Sequence, residues 1–213
     1  MSRNSRNGSR KPRGTSLGIT KPRLGYYIIF TDTEKTEYHY LSGLKNSIPK
    51  DLQQNLVMKI FKTKTENLVQ DVLQEYGLHQ QYGEPWIIFD RDKVTNFDAI
   101  IKEANEKGVK VGWTNQCIEE WFSAYFGTMP TYSDSVKCCK GFSDTFKKKF
   151  GQKYDKADKD IYAKLCVRGN EQKAIEIAKR KFKEQIENGN QKPSVMCPCT
   201  TVHILVEEIK SKI

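Results

Sequence analysis

Residues 86–93 read Trp86-Ile87-Ile88-Phe89-Asp90-Arg91-Asp92-Lys93, so that four large apolar side chains run directly into two carboxylates. A short apolar run of this kind is typical of a buried strand in a parallel sheet that is covered on both faces. Because burying an unpaired carboxylate is costly, we expect Asp90 and Asp92 at the carboxyl end of the strand. Open α/β sheets bind their ligands outside those ends.

The two aspartates are a candidate metal pair. Their i, i+2 spacing directs both side chains to the same side while the chain stays extended. A divalent cation would relieve the repulsion between them, and hard carboxylate oxygens suit Mg²⁺ or Mn²⁺. The alternative interpretation is that Asp90 and Asp92 only cap the turn and the helix that follow. The Asp-x-Asp pair alone does not separate these two interpretations.

Strand and helix patterns alternate along the first 126 residues. Apolar and β-branched runs predict further strands at 25–30, 56–61 and 109–113. Helical spacing predicts helices at 36–44, 66–76 and 97–107, and a fourth that begins at Thr114 or Asn115. The alternation predicts an α/β fold with a doubly wound, mainly parallel sheet and right-handed crossovers. The fourth helix carries Glu119 and Glu120, which either serve the helix dipole or add a carboxylate to the metal site.

The chain divides into three regions by composition. Residues 1–23 contain seven arginines and lysines and no acidic residue, which predicts a basic flexible tail. Residues 24–135 carry the alternating pattern of the α/β domain. Residues 136–213 are predicted to be a basic, helical C-terminal extension that packs on the same domain. The tail is interpreted either as a solvated extension or as an arm that contacts phosphates or a partner.

The charge and the cysteine content indicate which kinds of partner the protein binds and in which cellular compartment it works. The formal charge is +10, with 36 basic and 26 acidic residues, which favours phosphate-rich partners such as nucleic acid. The chain has no apolar segment long enough to span a membrane, so no membrane partner is predicted. Six cysteines without C-x-x-C spacing favour reduced thiols and a cytoplasmic location. A zinc site from Cys197, Cys199 and the Cys138-Cys139 pair fits no common spacing.

Several separate motifs, in order along the chain, together resemble the RloB family. They are Tyr27-Ile28-Ile29, Glu34-Lys35-Thr36-Glu37 with Tyr40, Phe89-Asp90-Arg91-Asp92, Asn115-x-Cys117-x-Glu119-x-Trp121 and the closing segment 198–206. The likeness runs from about residue 10 to the end. It implies a Toprim-like fold and a metal-dependent nuclease that acts in antiviral defence as a toxin-like effector. It also implies an ATPase partner of the ABC or AAA type, encoded by a neighbouring gene.

The resemblance assigns metal ligands. Asp90 and Asp92 match the Toprim metal pair, and Mg²⁺ or Mn²⁺ is the implied cofactor. Glu119 matches the acidic residue of the family's Asn-Pro-Cys-Phe-Glu segment, in which Gln116 and Ile118 stand here for Pro and Phe.

The resemblance also implies a catalytic carboxylate close to the first strand. The candidates are Asp32, Glu34 and Glu37, acting as general base or as ligands of a second metal. Asp32-Thr33 stands where Toprim proteins usually have glutamate followed by glycine. Aspartate keeps the charge but reaches one methylene less.

Basic residues near these motifs and in the C-terminal region are the candidates for contacts with nucleic acid: Lys35, Arg91, Lys93, Lys147 and Lys148. The expected function is hydrolysis of a phosphodiester bond in DNA or RNA, with tRNA among the candidate substrates. The sequence has no Gly-rich P-loop, which places the ATPase on a separate chain. The alternative, suggested by the Asp32-Thr33 departure, is a catalytically silent nucleic-acid-binding or adaptor subunit.

Overall fold

The computed structural model describes residues 22–32, 35–79, 82–92 and 94–213. Two of the candidate site residues, Glu34 and Lys93, lie outside the described residues. So do residues 1–21 of the predicted tail.

The described strands form one five-stranded sheet. They are β1 (Gly25–Thr31), β2 (Leu56–Lys62), β3 (Gly83–Asp90), β4 (Lys110–Asn115) and β5 (Cys199–Thr200). The strand order is β2-β1-β3-β4-β5, with the first four strands parallel and β5 antiparallel to β4. The prediction of an α/β fold with a mainly parallel sheet is therefore confirmed, and the architecture is consistent with a Toprim-like fold.

Eight α-helices occur within the described residues. They are α1 (Thr36–Asn46), α2 (Leu68–Gly77), α3 (Phe97–Glu106), α4 (Glu119–Tyr125), α5 (Ser135–Phe150), α6 (Ile161–Arg168), α7 (Glu171–Glu187) and α8 (Val202–Lys210). The predicted start of the fourth helix at Thr114 or Asn115 was wrong, because both residues extend β4. They pair there with Thr200 and Cys199 of β5, and α4 begins only at Glu119.

Alternate residues of the central strands pack on opposite faces of the sheet. Trp86 and Ile88 of β3 belong to an apolar cluster with α1 and α4 to α8. Ile87 and Phe89 face the other way, into a cluster with α2 and α3. Burying each of these side chains stabilises the fold by roughly 1.5–3 kcal/mol. Helices thus cover both faces of the sheet and leave its strand ends accessible.

The region 136–213 shares its core with the preceding residues. Phe142 and Leu205 from this region lie in the same cluster as Trp86 and Trp121. The region is not wholly helical, because it also contributes β5 to the sheet. The proposed boundary at residue 135 stays a prediction.

Candidate metal centre

The candidate site lies where β1 and β3 end side by side. Thr31 of β1 pairs with Ile88 of β3, Asp32 follows β1 directly, and Asp90 is the last residue of β3. The chain leaves β1 through α1 on one face of the sheet and leaves β3 through α3 on the other. Adjacent parallel strands whose connections part in this way leave a crevice between their ends, which is the usual ligand site of such sheets.

Five predicted carboxylates come together in this crevice. Their mutual repulsion acts most clearly on Asp90, whose pKa is raised well above its ordinary value by burial and by the negative charges around it. Those charges belong, in order of decreasing effect, to Glu37, Asp32, Glu119 and Asp92. The strand-end placement predicted for Asp90 is therefore correct. So many negative charges in one place call for a compensating cation.

Asp32 keeps one carboxylate oxygen without a partner. Thr65 Oγ1 donates to its Oδ2 at 3.5 Å, whereas Oδ1 is buried and has no hydrogen-bond partner among the described residues. Burial and the nearby Glu37 charge raise the pKa of Asp32 to about 8. A buried acceptor of this kind is rare in proteins unless an ion or water occupies the site.

Asp90 and Asp92 differ in backbone conformation and in exposure, although their i, i+2 spacing predicts similar positions. The extended chain stops at Asp90, and Asp92 has a φ of 23°, so the expectation of an extended chain through Asp92 was wrong, although both side chains line the same two clefts. The backbone turns because Arg91 N and Asp92 N donate to Thr114 O at 2.9 Å and Gln116 O at 3.0 Å. Asp92 is exposed, and its Oδ1 accepts from Ser135 Oγ of α5 at 2.5 Å.

Glu37 and Glu119 reach the cluster from two helices. Glu37 lies in the first turn of α1, and Glu119 begins α4; both are buried. Glu119 Oε1 accepts from Tyr154 OH at 3.1 Å and lies 3.6 Å from Lys156 Nζ. Its Oε2 has no hydrogen-bond partner within the described part of the chain.

The neighbouring Glu120 has different surroundings. Its Oε1 lies 3.8 Å from Cys197 Sγ, and burial raises its pKa to about 8. The negative charge of Glu119 contributes to the raised pKa of Asp90, whereas Glu120 lies beside Cys197. The structure therefore places Glu119, as the sequence predicted, beside the Asp90 cluster.

Two clefts open onto Asp90 and Asp92. The first has a volume of about 470 Å³ and is also lined by Asp32, Thr65, Glu66, Val94, Thr95 and Asn96. The second has a volume of about 250 Å³ and is also lined by Lys35, Thr36, Glu37, Ile118, Glu119 and Lys156. A ligand therefore has access to the carboxylates from either side.

The predicted nucleic-acid contacts lie at different distances from this centre. Lys35 is exposed and lines the second cleft. Arg91 Nη1 donates to Asn115 Oδ1 at 3.5 Å and lines a neighbouring cleft of about 620 Å³. Lys147 and Lys148 are exposed in the last turn of α5, about 18 Å along the helix axis from Ser135.

Two residues of the site were missed by the sequence reasoning. Tyr154 and Lys156 come from the loop between α5 and α6 and converge on Glu119. Burial acts to lower the pKa of Lys156, but the Glu119 charge together with Cys139 and Cys117 outweighs it, and the pKa is raised. No motif marks this loop. The only signal was a tyrosine in an otherwise polar segment, and Tyr154 is indeed buried.

The donor set fits a hard divalent cation. The five acidic side chains of the crevice offer carboxylate oxygens, which Mg²⁺ and Mn²⁺ prefer. Asp32 Oδ1 and Glu119 Oε2 are buried acceptors that lack a donor among the described residues. Asp90 and Asp92 would hold the ion, with Glu119 as the further ligand that the resemblance implies, and Asp32 and Glu37 belong to the same cluster.

Comparison with known families and proteins identified one family to which the chain is similar. A family model described as RloB-like protein matches residues 27–209, which is most of the chain. Comparisons with curated proteins and with solved structures gave no match. Among the described residues, none of the helices combines the length and the apolar character required to cross a membrane.

Proposed function

The chain belongs to the RloB-like family, and on this premise we propose that it is a metal-dependent nuclease of antiviral defence. It hydrolyses a phosphodiester bond in DNA or RNA. The observation that carries the proposal is the cluster of carboxylates at the carboxyl ends of β1 and β3, which we call the β1–β3 edge. Within this cluster Asp32 Oδ1 is buried and has no partner within the described residues. Carboxylates gathered at such an edge are suited to holding Mg²⁺ or Mn²⁺ against a phosphate.

The metal and the carboxylates have separate tasks. Asp90 and Asp92 would hold the cation, which when bound would lower the pKa of water and stabilise charge on the phosphate. Glu37, buried at the start of α1, and Asp32 are the candidates to accept the proton of the attacking water. Asp32 lines the first cleft and Glu37 the second, so the side from which the substrate enters decides between them.

Two lysines supply positive charge opposite the carboxylates. Lys35 and Lys156 line the second cleft together with Glu37 and Glu119. We assign them to the phosphate oxygens of the substrate, which a lysine binds as a point charge. Lys156 is 58% exposed, so it can leave Glu119 and turn toward a phosphate. In this proposal the backbone of the nucleic acid follows the second cleft.

The partner follows from the family resemblance. We propose that the chain works in the cytoplasm with an ABC- or AAA-type ATPase from a neighbouring gene. The sequence has no Gly-rich P-loop, so nucleotide hydrolysis would belong to the other chain. The ATPase would hold the nuclease inactive until infection.

A second function is favoured by two specific observations. Asp32-Thr33 replaces the usual glutamate and glycine, and Asp92 Oδ1 is already bonded to Ser135. Both weaken the metal site relative to a full set of free carboxylates. The alternative is therefore a catalytically silent subunit that binds nucleic acid or links it to the ATPase.

Cleavage assays test the proposal. DNA, RNA and tRNA are incubated with the chain, alone and with the neighbouring ATPase, in Mg²⁺, Mn²⁺ or EDTA. We expect cleavage that EDTA abolishes and that Asp90→Asn lowers by about 100-fold or more, since loss of even an indirect metal contact costs about 10–100-fold. Asp144→Asn, an exposed aspartate on α5, is the matched control. Tight binding without cleavage in every condition would establish the silent subunit instead.

A further inference from the structure

A second group of metal-ligating side chains lies behind Glu119. Cys117 Sγ and Cys139 Sγ are 3.8 Å apart, although 22 residues separate them in the chain. Both sulfur atoms lie within 4.8 Å of each other and of a Glu119 carboxylate oxygen. The packing of α5 against α4 creates this cluster, because Cys117 precedes α4 and Cys139 lies in the second turn of α5.

The spacing of the two sulfur atoms suits a tetrahedral thiolate site. With zinc–sulfur bonds of about 2.3 Å, tetrahedral geometry places two ligand sulfur atoms about 3.8 Å apart. Two protonated thiols in ordinary contact have a similar separation, so the distance does not decide the question alone. The surroundings of the third candidate ligand, Glu119, distinguish a metal site from a simple contact between two thiols.

Glu119 supplies the independent observation. Its side chain is fully buried, and its Oε2 has no hydrogen-bond partner among the described residues. One oxygen of this carboxylate lies within 4.8 Å of both sulfur atoms, and a buried carboxylate that keeps an acceptor without a donor is unfavourable unless a cation binds there. Lys156 Nζ lies 3.6 Å from Oε1 and is not a partner of Oε2.

We propose that Cys117, Cys139 and Glu119 bind a thiophilic divalent cation of the zinc type, at a second site that adjoins the Asp90–Asp92 centre and shares Glu119 with it. Cys138 contacts Cys117, and either Cys138 or a water molecule takes the fourth position. On binding, each coordinating thiol releases its proton to solvent. The ammonium of Lys156, which is largely exposed, moves away from Glu119 toward water.

Metal titration of the reduced, full-length chain tests the site. Cd²⁺, a thiophilic probe for zinc, is added while thiolate-to-metal charge transfer is followed in the ultraviolet. We expect an absorption band that saturates near one equivalent and persists in excess Mg²⁺. Cys139→Ser should lower the affinity by at least 10-fold, whereas Cys166→Ser, an exposed cysteine on α6, should leave it unchanged.

Further variants separate this site from the proposed nuclease centre. Glu119→Gln should weaken Cd²⁺ binding but retain the thiolate band, and Asp90→Asn should leave both the band and the affinity unchanged. Because Cys117 is buried, the Cd²⁺ affinity of Cys117→Ser is interpreted only after circular dichroism has confirmed that this variant is folded. Absence of a thiolate band, equal affinity in Cys139→Ser, or loss of the band in Asp90→Asn would overturn the proposal. None of these readouts depends on cleavage.

Discussion

Two polar regions of the same sheet differ in how far their hydrogen-bonding groups are paired. One lies between β4, β5 and α8 and is called the β4–β5 seam, and the other lies at the carboxyl ends of β1 and β3. Between β4, β5 and α8, Thr114 Oγ1 lies 2.8 Å from Thr200 Oγ1, and Thr201 Oγ1 accepts from Trp113 N at 2.9 Å. His203 Nδ1–H donates to Thr200 O at 3.0 Å. At the β1–β3 edge, by contrast, Asp32 and Glu119 each keep a buried oxygen without a partner among the described residues.

This difference distinguishes a structural role from a ligand-binding role. Paired polar groups stabilise the attachment of β5, and nothing further is needed to satisfy them. Carboxylates of one sign that crowd together, two of them with a buried oxygen lacking a partner among the described residues, destabilise the fold unless another molecule contributes positive charge. We therefore interpret the paired contacts between β4 and β5 as part of the framework, and the carboxyl ends of β1 and β3 as the candidate binding site.

The largest effect is expected on catalysis at the β1–β3 edge. Asp32→Asn removes the charge at nearly constant shape, and loss of a general base costs about 10²–10⁴-fold in rate. Glu37→Gln should be the more damaging change if Glu37 accepts the proton instead. Single-turnover rates at saturating Mg²⁺ compare the two variants. Full activity in both would remove both residues from the mechanism.

The stability of the metal-free protein should fall as the pH rises. Asp32 has a pKa of about 8 in the folded chain and an ordinary value of 3.8, so the folded state holds its proton more tightly. The stabilising contribution is complete below the ordinary value and is lost as the pH rises through about 8. Thermal unfolding in EDTA between pH 5 and 8.5 should show this slope, and Asp32→Asn should reduce it. An identical slope in the variant would contradict the assignment.

His203 in the β4–β5 seam should act in the opposite direction. Burial lowers its pKa from 6.5 to about 4, because the folded state favours the neutral ring. Its contribution is present above 6.5 and is lost as the pH falls through about 4. His203→Gln should flatten the acid limb of the unfolding profile while the slope above pH 7 stays as in the parent chain. A change confined to the alkaline side would contradict this prediction.

The smallest effect is expected for Thr114→Val. The substitution conserves shape and removes the hydroxyl contact with Thr200, whose own hydroxyl still donates to Trp113 O at 3.0 Å. We expect a loss of about 0.5–1.5 kcal/mol, measured by urea denaturation. The stabilisation of the protein by Mg²⁺ should be the same as in the parent chain. A smaller stabilisation by Mg²⁺ in the variant would mean that the contacts between β4 and β5 are coupled to the carboxylates at the ends of β1 and β3.

The strands and the central carboxylates were predictable because their signals are local. The apolar run 86–89 specifies a strand buried on both faces, and Asp90 must follow it at the accessible end. The order of the sheet then brings Asp32 beside Asp90. Only the alternation of strands and helices was needed to place both residues at one edge.

Other features depend on contacts between distant residues and leave little trace in a single sequence. The two-residue β5 exists because Thr200 and Cys199 pair with β4, and no pattern of that length predicts a strand. Tyr154 and Lys156 reach Glu119 only through the packing of α5 on α4. The turn at Asp92 is set by backbone contacts with Thr114 and Gln116, which the i, i+2 spacing cannot reveal.

The short β5 also affects how the sheet meets other protein molecules. It covers the outer side of β4 with two residues, and a strand that short offers a poor template for pairing with another chain. At the opposite edge, β2 exposes Lys59 and Lys62, and lysines on an edge strand disfavour association between sheets. Both edges of the described sheet are thereby protected against pairing with the sheet of another molecule, so the chain can reach a high local concentration without aggregating through its strands.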